Sequence, residues 1–292
     1  MRVIDCGSMT RAADELGLEL SSVSRTLSRL ERGLGWSLID RGMRGAVPTH
    51  AGQIAYARMQ ALLQDFDALQ VELDELAGDL VGPVRVYAAP GFGAHLVTHW
   101  LLGFKQLHPR VNVDLWCPNR RPSFRDDEVD IVFRYGPITE EGVVPRRIGT
   151  MPFVACASPD YLRGGPLPLH PRELDSHVVI NYSGYVRPTA TFMVNRSGER
   201  FEFGKQRSIG LDNVLAMRQA VLAGAGIWLD APAFLCDEEL ASGRLMRVLP
   251  GWEVPAREEF VLRRDLPNPP RRVTALVDWL CKQWQATPCL GA

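Results

Sequence analysis

The stretch from Ser8 to Glu31, SMTRAADELGLELSSVSRTLSRLE, constrains this chain more than any other. It reads as two short helices set at an angle across a tight turn. Ser8 can cap the first, because its hydroxyl accepts a backbone N–H that the opening turn leaves unpaired. Ala12, Ala13 and Leu16 give that helix an apolar side, and small alanines let a second helix come close. Gly17 ends it, since glycine tolerates the left-handed backbone of a helix terminus. The spacing predicts a second helix from near Ser21, with Val23, Leu27, Leu30 and Leu34 stacked on one face. Its opposite face carries Ser21, Arg25, Ser28 and Arg32, flanked by Ser22, Ser24 and Arg29, and no carboxylate precedes Glu31.

Small side chains let a helix enter the major groove of DNA, where arginine reaches guanine edges or phosphates. A solvated face on an ordinary bundle has the same polarity. The Ala-Ala helix and the glycine turn favour a helix-turn-helix.

TRAADELGLELSSVSRTLSRLE, followed by LGWSLIDR and PTHAG, resembles the winged helix-turn-helix of LysR-type transcriptional regulators. The resemblance implies that the second helix reads double-stranded operator DNA, with Ser21, Ser22, Ser24 and Arg25 at reading positions. Ser28 lies on the same face, and Arg29 matches a phosphate-facing position. A wing would run from Leu34-Gly35 through Arg41 and close at Pro48-Thr49, with Arg41, Arg44 and Thr49 assisting. Leu20 departs from the family, which usually has a polar residue or proline there. Only Met1, Val3 and Ile4 stand where the family has a longer apolar helix before Gly7-Ser8. That leads us to expect a start codon further upstream, the alternative being a weakened head that leans on the long linker helix.

From Ala51 the composition becomes that of one long helix. Ala55, Met59, Leu62, Phe66, Leu69, Leu73 and Leu76 alternate four- and three-residue steps, a coiled-coil seam between polar positions. We expect residues 51–82 to form a dimerising linker, with Met59, Leu62, Phe66, Leu69, Leu73 and Leu76 at the contact, ending in a hinge at Gly78 and Gly82-Pro83. Such a linker would hold two reading heads at the spacing a symmetric site requires, in a homodimer or homotetramer. Residues 1–50 then form the DNA-binding domain.

Beyond Pro83 strands and helices alternate. Strands are expected at Val84–Ala88, Val111–Trp116, Asp130–Arg134, Phe153–Ser158, Val178–Tyr182, Gly226–Leu229, Arg244–Leu249 and Glu259–Arg263. Helices are expected over 94–108, Val214–Ala223 and Val273–Trp284, and a hairpin turning at Ser197-Gly198. This rhythm implies an α/β fold with a mainly parallel sheet. FGAHLVTHWLLGFKQLHPRVNVDL, VDIVFRYG and DNVLAMRQAVLAGAGIWL resemble the LysR-type effector-binding region, two Rossmann-like lobes akin to periplasmic binding proteins. The implied effector domain is 83–292, with lobe I over about 83–152 and 257–292 and lobe II over about 153–256.

Ligands of open α/β lobes sit at the carboxyl ends of strands. That places Pro90, Gly91, Phe92, Gly93, Arg134 and Tyr135 of the first lobe, and Tyr182, Ser183, Asp212 and Asn213 of the second, around a small organic effector, anionic or aromatic. Helix N–H groups near Ala94 would favour a carboxylate. Each residue also has a duller role: Phe92 and Tyr135 as packing, Arg134 as an ion-pair partner, Asn213 as a helix cap.

The chain's net charge of −1 excludes DNA affinity from bulk charge and requires a local patch. No apolar run reaches membrane-span length and no secretory pattern opens the chain, so a cytoplasmic location is expected, without a membrane partner. The six cysteines include no CxxC pair, and His95 and His99 lack further ligands, so neither a metal nor another cofactor is expected. Three alternatives stand beside a ligand-responsive regulator: a redox-responsive regulator of the same architecture, a solute-binding protein, and an enzyme on the α/β lobes. The enzyme lacks a GxSxG elbow, a complete GxGxxG and an HExxH.

Overall fold

The left-handed backbone of Gly17 (φ 62°) separates the two helices that the Ser8–Glu31 pattern requires. In the computed structural model, which describes residues 1–42, 45–76, 80–124, 127–184, 192–203 and 207–291, they are α2 (Met9–Leu16) and α3 (Leu20–Leu34), preceded by α1 (Arg2–Cys6). The Ser8 hydroxyl accepts from Arg11 N–H at 3.4 Å, the cap expected of it. Val3, Ala12, Ala13, Val23, Leu38, Ile39 and Ala46 form the core. α3 starts at Leu20, one residue early, with Glu19 as N-cap. Its apolar face is buried only at the start: Val23 is covered, Leu30 and Leu34 are exposed. α2 has 8 residues, about 12 Å of helix at 1.5 Å per residue, and cannot cover the 15 residues of α3.

The wing is the antiparallel pair β1 (Ile39–Gly42) and β2 (Gly45–Pro48). Glu31 anchors its entry, its Oε1 accepting Leu38 N–H at 2.8 Å and Ile39 N–H at 3.2 Å. The exit is tied by Ala46 N–H to the Gly7 carbonyl at 2.9 Å. α4 (His50–Leu76) follows as one helix of 27 residues, about 40 Å long. Gly52 lets its first turn lie on the wing, because a Cβ there would stand 1.9 Å from the Leu38 carbonyl oxygen. Gly52→Ala must therefore push α4 off the wing. We expect a loss of about 1–3 kcal/mol for this overpacking, read as a lower melting temperature of the head in thermal denaturation of the full chain.

The chain divides into two compact units, Met1–Gly78 and Asp79–Ala292. The second is α/β. It contains β3 (Gly82–Tyr87), α5 (Pro90–Phe92), α6 (Thr98–Leu107), β4 (Val111–Trp116), β5 (Ile131–Tyr135), β6 (Val143–Met151), β7 (Phe153–Ala157) and α7 (Pro159–Leu162). Next come β8 (Val179–Tyr182), β9 (Phe192–Asn195), β10 (Arg200–Glu202), β11 (Ser208–Leu211), α8 (Val214–Leu222), β12 (Trp228–Pro232) and α9 (Ala233–Ala241). β13 (Met246–Arg247), β14 (Trp252–Glu253), β15 (Arg257–Arg264) and α10 (Arg271–Gln285) complete it.

The largest sheet has the order β4-β3-β5-β15-β6. β4, β3 and β5 are parallel, as the βαβ rhythm demands, but β15 runs antiparallel to both neighbours. The sheet is thus mixed, which corrects the mainly parallel expectation: β15 enters from the far end of the chain without a crossover helix, so nothing forces it parallel. The remaining strands stay among themselves, as β12-β7-β13, β11-β8 and β10-β9-β14.

Several boundaries differ from the pattern. The helix expected over 94–108 begins at Pro90 and contains a π turn, Gly93–Val97, between α5 and α6. The Gly93 carbonyl accepts the Thr98 backbone N–H there and also the Thr98 hydroxyl, at 2.8 Å. The strand expected over Arg244–Leu249 shortens to Met246–Arg247, and that over Gly226–Leu229 shifts to Trp228–Pro232. β6 and α9 were not expected at all. α9 buries Ala233, Phe234, Leu235, Cys236 and Glu239, so its sequence carries no amphipathic period to read.

Candidate nucleic acid interface and effector cleft

Along α3, Ser22, Ser24, Arg25, Thr26, Ser28, Arg29 and Arg32 line one shallow concavity. Ser21, Arg25 and Arg29 are exposed, while Ser22, Ser24 and Ser28 are half-buried. Arg25 Nε donates to the Ser21 carbonyl at 3.1 Å, and Arg32 Nε to that of Ser28 at 3.2 Å, so both guanidiniums lie along the helix. Glu31, the one acid within α3, is turned onto the wing backbone and leaves this face cationic. Thr49 sits elsewhere: its hydroxyl donates to the Ser37 carbonyl at 2.7 Å and accepts from Gly52 N–H at 3.0 Å, closing the wing onto α4. Arg44 and the Arg41 side chain lie outside the described residues.

On α4, Leu62, Phe66, Leu69 and Leu73 are exposed, and Met59 is half-buried. The Leu76 side chain and the hinge glycine Gly78 lie outside what is described. An apolar groove of about 600 Å³ runs between α1, α3 and α4, lined by Ile4, Leu27, Leu30, Met59 and Leu62 among others. It explains why Leu30 remains uncovered within this unit.

In the second unit Phe92 is the centre of an aromatic cluster. Its ring centroid lies 5.0 Å from Phe133, 5.6 Å from Trp100, and 5.8 Å from both Phe234 and Trp284. Beside it is a cavity of about 70 Å³, lined by Phe92, Phe133, Arg134, Tyr135, Met151, Phe153, Phe234, Arg257 and Glu259 among others. The five-stranded sheet supplies one wall, and β7, α8, β12 and α9 supply the other.

Of the ten effector residues read from the sequence, Phe92, Arg134 and Tyr135 reach this cavity. Arg134 is ion-paired with Glu140. Gly91 and Gly93 allow close approach: a Cβ on Gly91 would stand 2.5 Å from Val214 Cγ2, and one on Gly93 2.3 Å from Cys117 Sγ. Pro90 opens the helix, and Gly93 N–H already bonds the Ala89 carbonyl at 2.7 Å. The carboxylate cradle expected near Ala94 therefore falls inside the helix and is not formed. Tyr182 is buried, and Ser183 and Asp212 are exposed. The Asp212 carbonyl accepts from Asn119 Nδ2 at 2.6 Å, and Ser183 N–H bonds the Leu211 carbonyl at 2.8 Å. Asn213 caps α8, accepting Leu215 N–H at 2.8 Å and Ala216 N–H at 3.4 Å.

Sequence reading missed Phe153, Phe234, Arg257 and Glu259. The last two stand two residues apart on β15 and so share a face. Arg257 Cζ lies 4.7 Å from the Phe153 ring centroid and 5.7 Å from that of Tyr135, with Nη2 3.8 Å from Asp230 Oδ2. Glu259 is 4% exposed. Burial pushes its carboxyl from 4.5 up to about 8, with Arg257 pulling the other way. Burial likewise pushes the Tyr87 phenol up to about 12; its hydroxyl donates to the Arg120 carbonyl at 2.6 Å.

A carboxyl raised in the folded state holds its proton where the unfolded chain has lost it. Stability contributed by Glu259 is therefore full below about 4.5 and declines as pH rises to about 8, by at most about 1.4 kcal/mol per pH unit. Glu259→Gln should remove this slope, measured as urea midpoints of the full chain from acid to mildly alkaline pH. A slope unchanged by the substitution would place its origin elsewhere.

The cysteines do not suit redox sensing. The adjacent Cys236 thiol and burial push the Cys156 thiol well up, and burial raises Cys117, Cys281 and Cys289. A reactive thiol needs the opposite shift. Among the described residues no His, Cys, Asp and Glu group could hold a metal ion, and no helix is long and apolar enough to cross a membrane.

A winged helix-turn-helix with a cationic second helix, a long helix and an α/β unit with an apolar cavity define a DNA-binding regulator with an effector domain. The family model for the bacterial regulatory helix-turn-helix protein, lysR family, matches residues 1–53, and that for the LysR substrate binding domain matches 77–285. The chain belongs to the LysR family of transcriptional regulators. It is 32% identical to the uncharacterized HTH-type transcriptional regulator YhjC of Escherichia coli (strain K12), covering 96% of this chain and 94% of that protein. It is 30% identical to the HTH-type transcriptional regulator PtxR of Pseudomonas aeruginosa, over 95% and 88% of the two chains. Among solved structures, the virulence activator AphB of Vibrio cholerae matches with a TM-score of 0.61 at 24% identity, covering 96% of this chain and 95% of that one. CrgA of Neisseria meningitidis matches at 0.62 and 24%, over 97% and 95%.

Proposed function

We propose that this regulator binds a two-fold operator in the cytoplasm as a homodimer or homotetramer, and that a small organic effector, aromatic or anionic, enters the cavity beside Phe92 and shifts that binding. The observation that carries the reading is the acid-free outer face of α3. Its only carboxylate is folded onto the wing, so Arg25, Arg29 and the serines beside them meet DNA without a repelling charge. The exposed Leu62, Phe66, Leu69 and Leu73 support pairing through α4, because an apolar stripe of that length is stable only when covered. The relatives are named as regulators, which supports a role without catalysis. The effector changes operator affinity only by the difference of its own affinities for the two states of the protein.

Arg25 is assigned to base edges and Arg29 to phosphate. Arg25→Ala should cost about 1–3 kcal/mol on a selected operator and relax sequence preference. Arg29→Ala should weaken operator and random duplex alike and flatten the salt dependence. Fluorescence anisotropy titrations of both variants at several salt concentrations read these outcomes. Wild-type affinity in both would refute the assignment.

A further inference from the structure

Glu259 makes no side-chain hydrogen bond or ion pair among the described residues, yet it is 4% exposed and lines the cavity beside Phe92. The charged and titratable groups around it are few. β5 contributes Tyr135, directly opposite in register, and Arg134, which is paired with Glu140. On β15 itself stand Arg257, with Asp230 of β12 near it, and Glu258, which is paired with Arg147. β6 offers Gly149 opposite Glu259, and β3 offers Tyr87. Arg121 also lines the cavity, and His95 lies against the ring of Phe234, 6.0 Å between centroids. Phe92, Phe153, Val214, Phe234 and Leu235 bring no charge.

A carboxyl isolated in this way avoids the cost of a buried charge by keeping its proton. It then has an O–H donor, and no side-chain partner for it is found among the described residues. The group that satisfies it must be an acceptor brought by the ligand. An ammonium ligand fits less well, because the Arg257 guanidinium already lies over the rings of Phe153 and Tyr135 and would repel it. We propose that Glu259 and Arg257 form the acid-reading end of the effector cavity, Glu259 donating a hydrogen bond to a carboxylate of a small apolar or aromatic ligand and Arg257 balancing its charge. This rests on the effector reading above and narrows it to carboxylates. It is a binding arrangement in which a neutral acid is the donor, so it works only while Glu259 holds its proton.

The test is ligand-observed saturation-transfer NMR on the full chain with isobutyrate, isobutyramide and isobutylamine, three probes of matched shape. Wild type is expected to bind isobutyrate in preference to the amine. With Glu259 titrating at about 8, that affinity should fall about tenfold between pH 7 and pH 9, although isobutyrate is ionised throughout. Glu259→Gln keeps a donor at every pH and should bind isobutyrate with no such fall. A flat profile in wild type, a fall that persists in Glu259→Gln, or a preference for the amine or amide each overturns the acid-reading role and leaves the cavity as an effector site. Absence of binding by all three overturns both the role and the cavity reading.

Discussion

The effector unit converges on the ring of Phe92. It touches Phe133 of the central sheet, Trp100 of α6, Trp284 of α10 and Phe234 of α9, each with centroids within 5.8 Å. Edge-on packing of this kind adds about 0.5–1.5 kcal/mol per pair beyond burial. Its larger effect is geometric, since one side chain ties its own helical run to β5, α9 and α10, which the sequence places far from it. The same ring lines one side of the cavity.

The head is held differently, by backbone capture. Its core is small, and the wing is too short to bury much by itself. Glu31 supplies the missing order by accepting two successive backbone N–H groups at the wing entry. Charge-assisted bonds to backbone are among the stronger ones available near a surface. The same contact keeps the only acid of α3 off the face that carries Arg25, Arg29 and Arg32. One side chain thus serves folding and electrostatics together.

The reading head was largely legible in the sequence. Ser8, Ala12, Ala13, Gly17 and Val23 take the places their chemistry demands, because helix caps and apolar periods are local signals. The cavity was legible only in part. Phe92, Arg134 and Tyr135 follow strand ends, a rule that topology supplies. Arg257 and Glu259 do not, because β15 joins the sheet from the far end of the chain and its register with β5 and β6 is not encoded locally. Asn213 satisfies two helix amides, and a cap looks the same in sequence as a ligand contact.

Two buried carboxyls of this unit show what separates a structural acid from one available to a ligand. Glu239 on α9 is fully buried, and its Oε1 receives guanidinium groups from Arg218 and, at 2.9 Å, from Arg244. Those contacts tie α9 to α8 and to the chain beyond it. Glu239 Oε2 has no hydrogen-bond partner among the described residues, but both guanidiniums reach Oε1, so the charge and its compensation arrive together and burying this acid is a packing solution. Glu259 is buried to nearly the same degree, and its nearest cation is held over two aromatic rings beside a second acid. Folding gains nothing from placing a lone carboxyl there; an apolar side chain of that size would pack better. If Glu259 reads a carboxylate as proposed, its compensation lies outside the folded chain, in what the cavity receives.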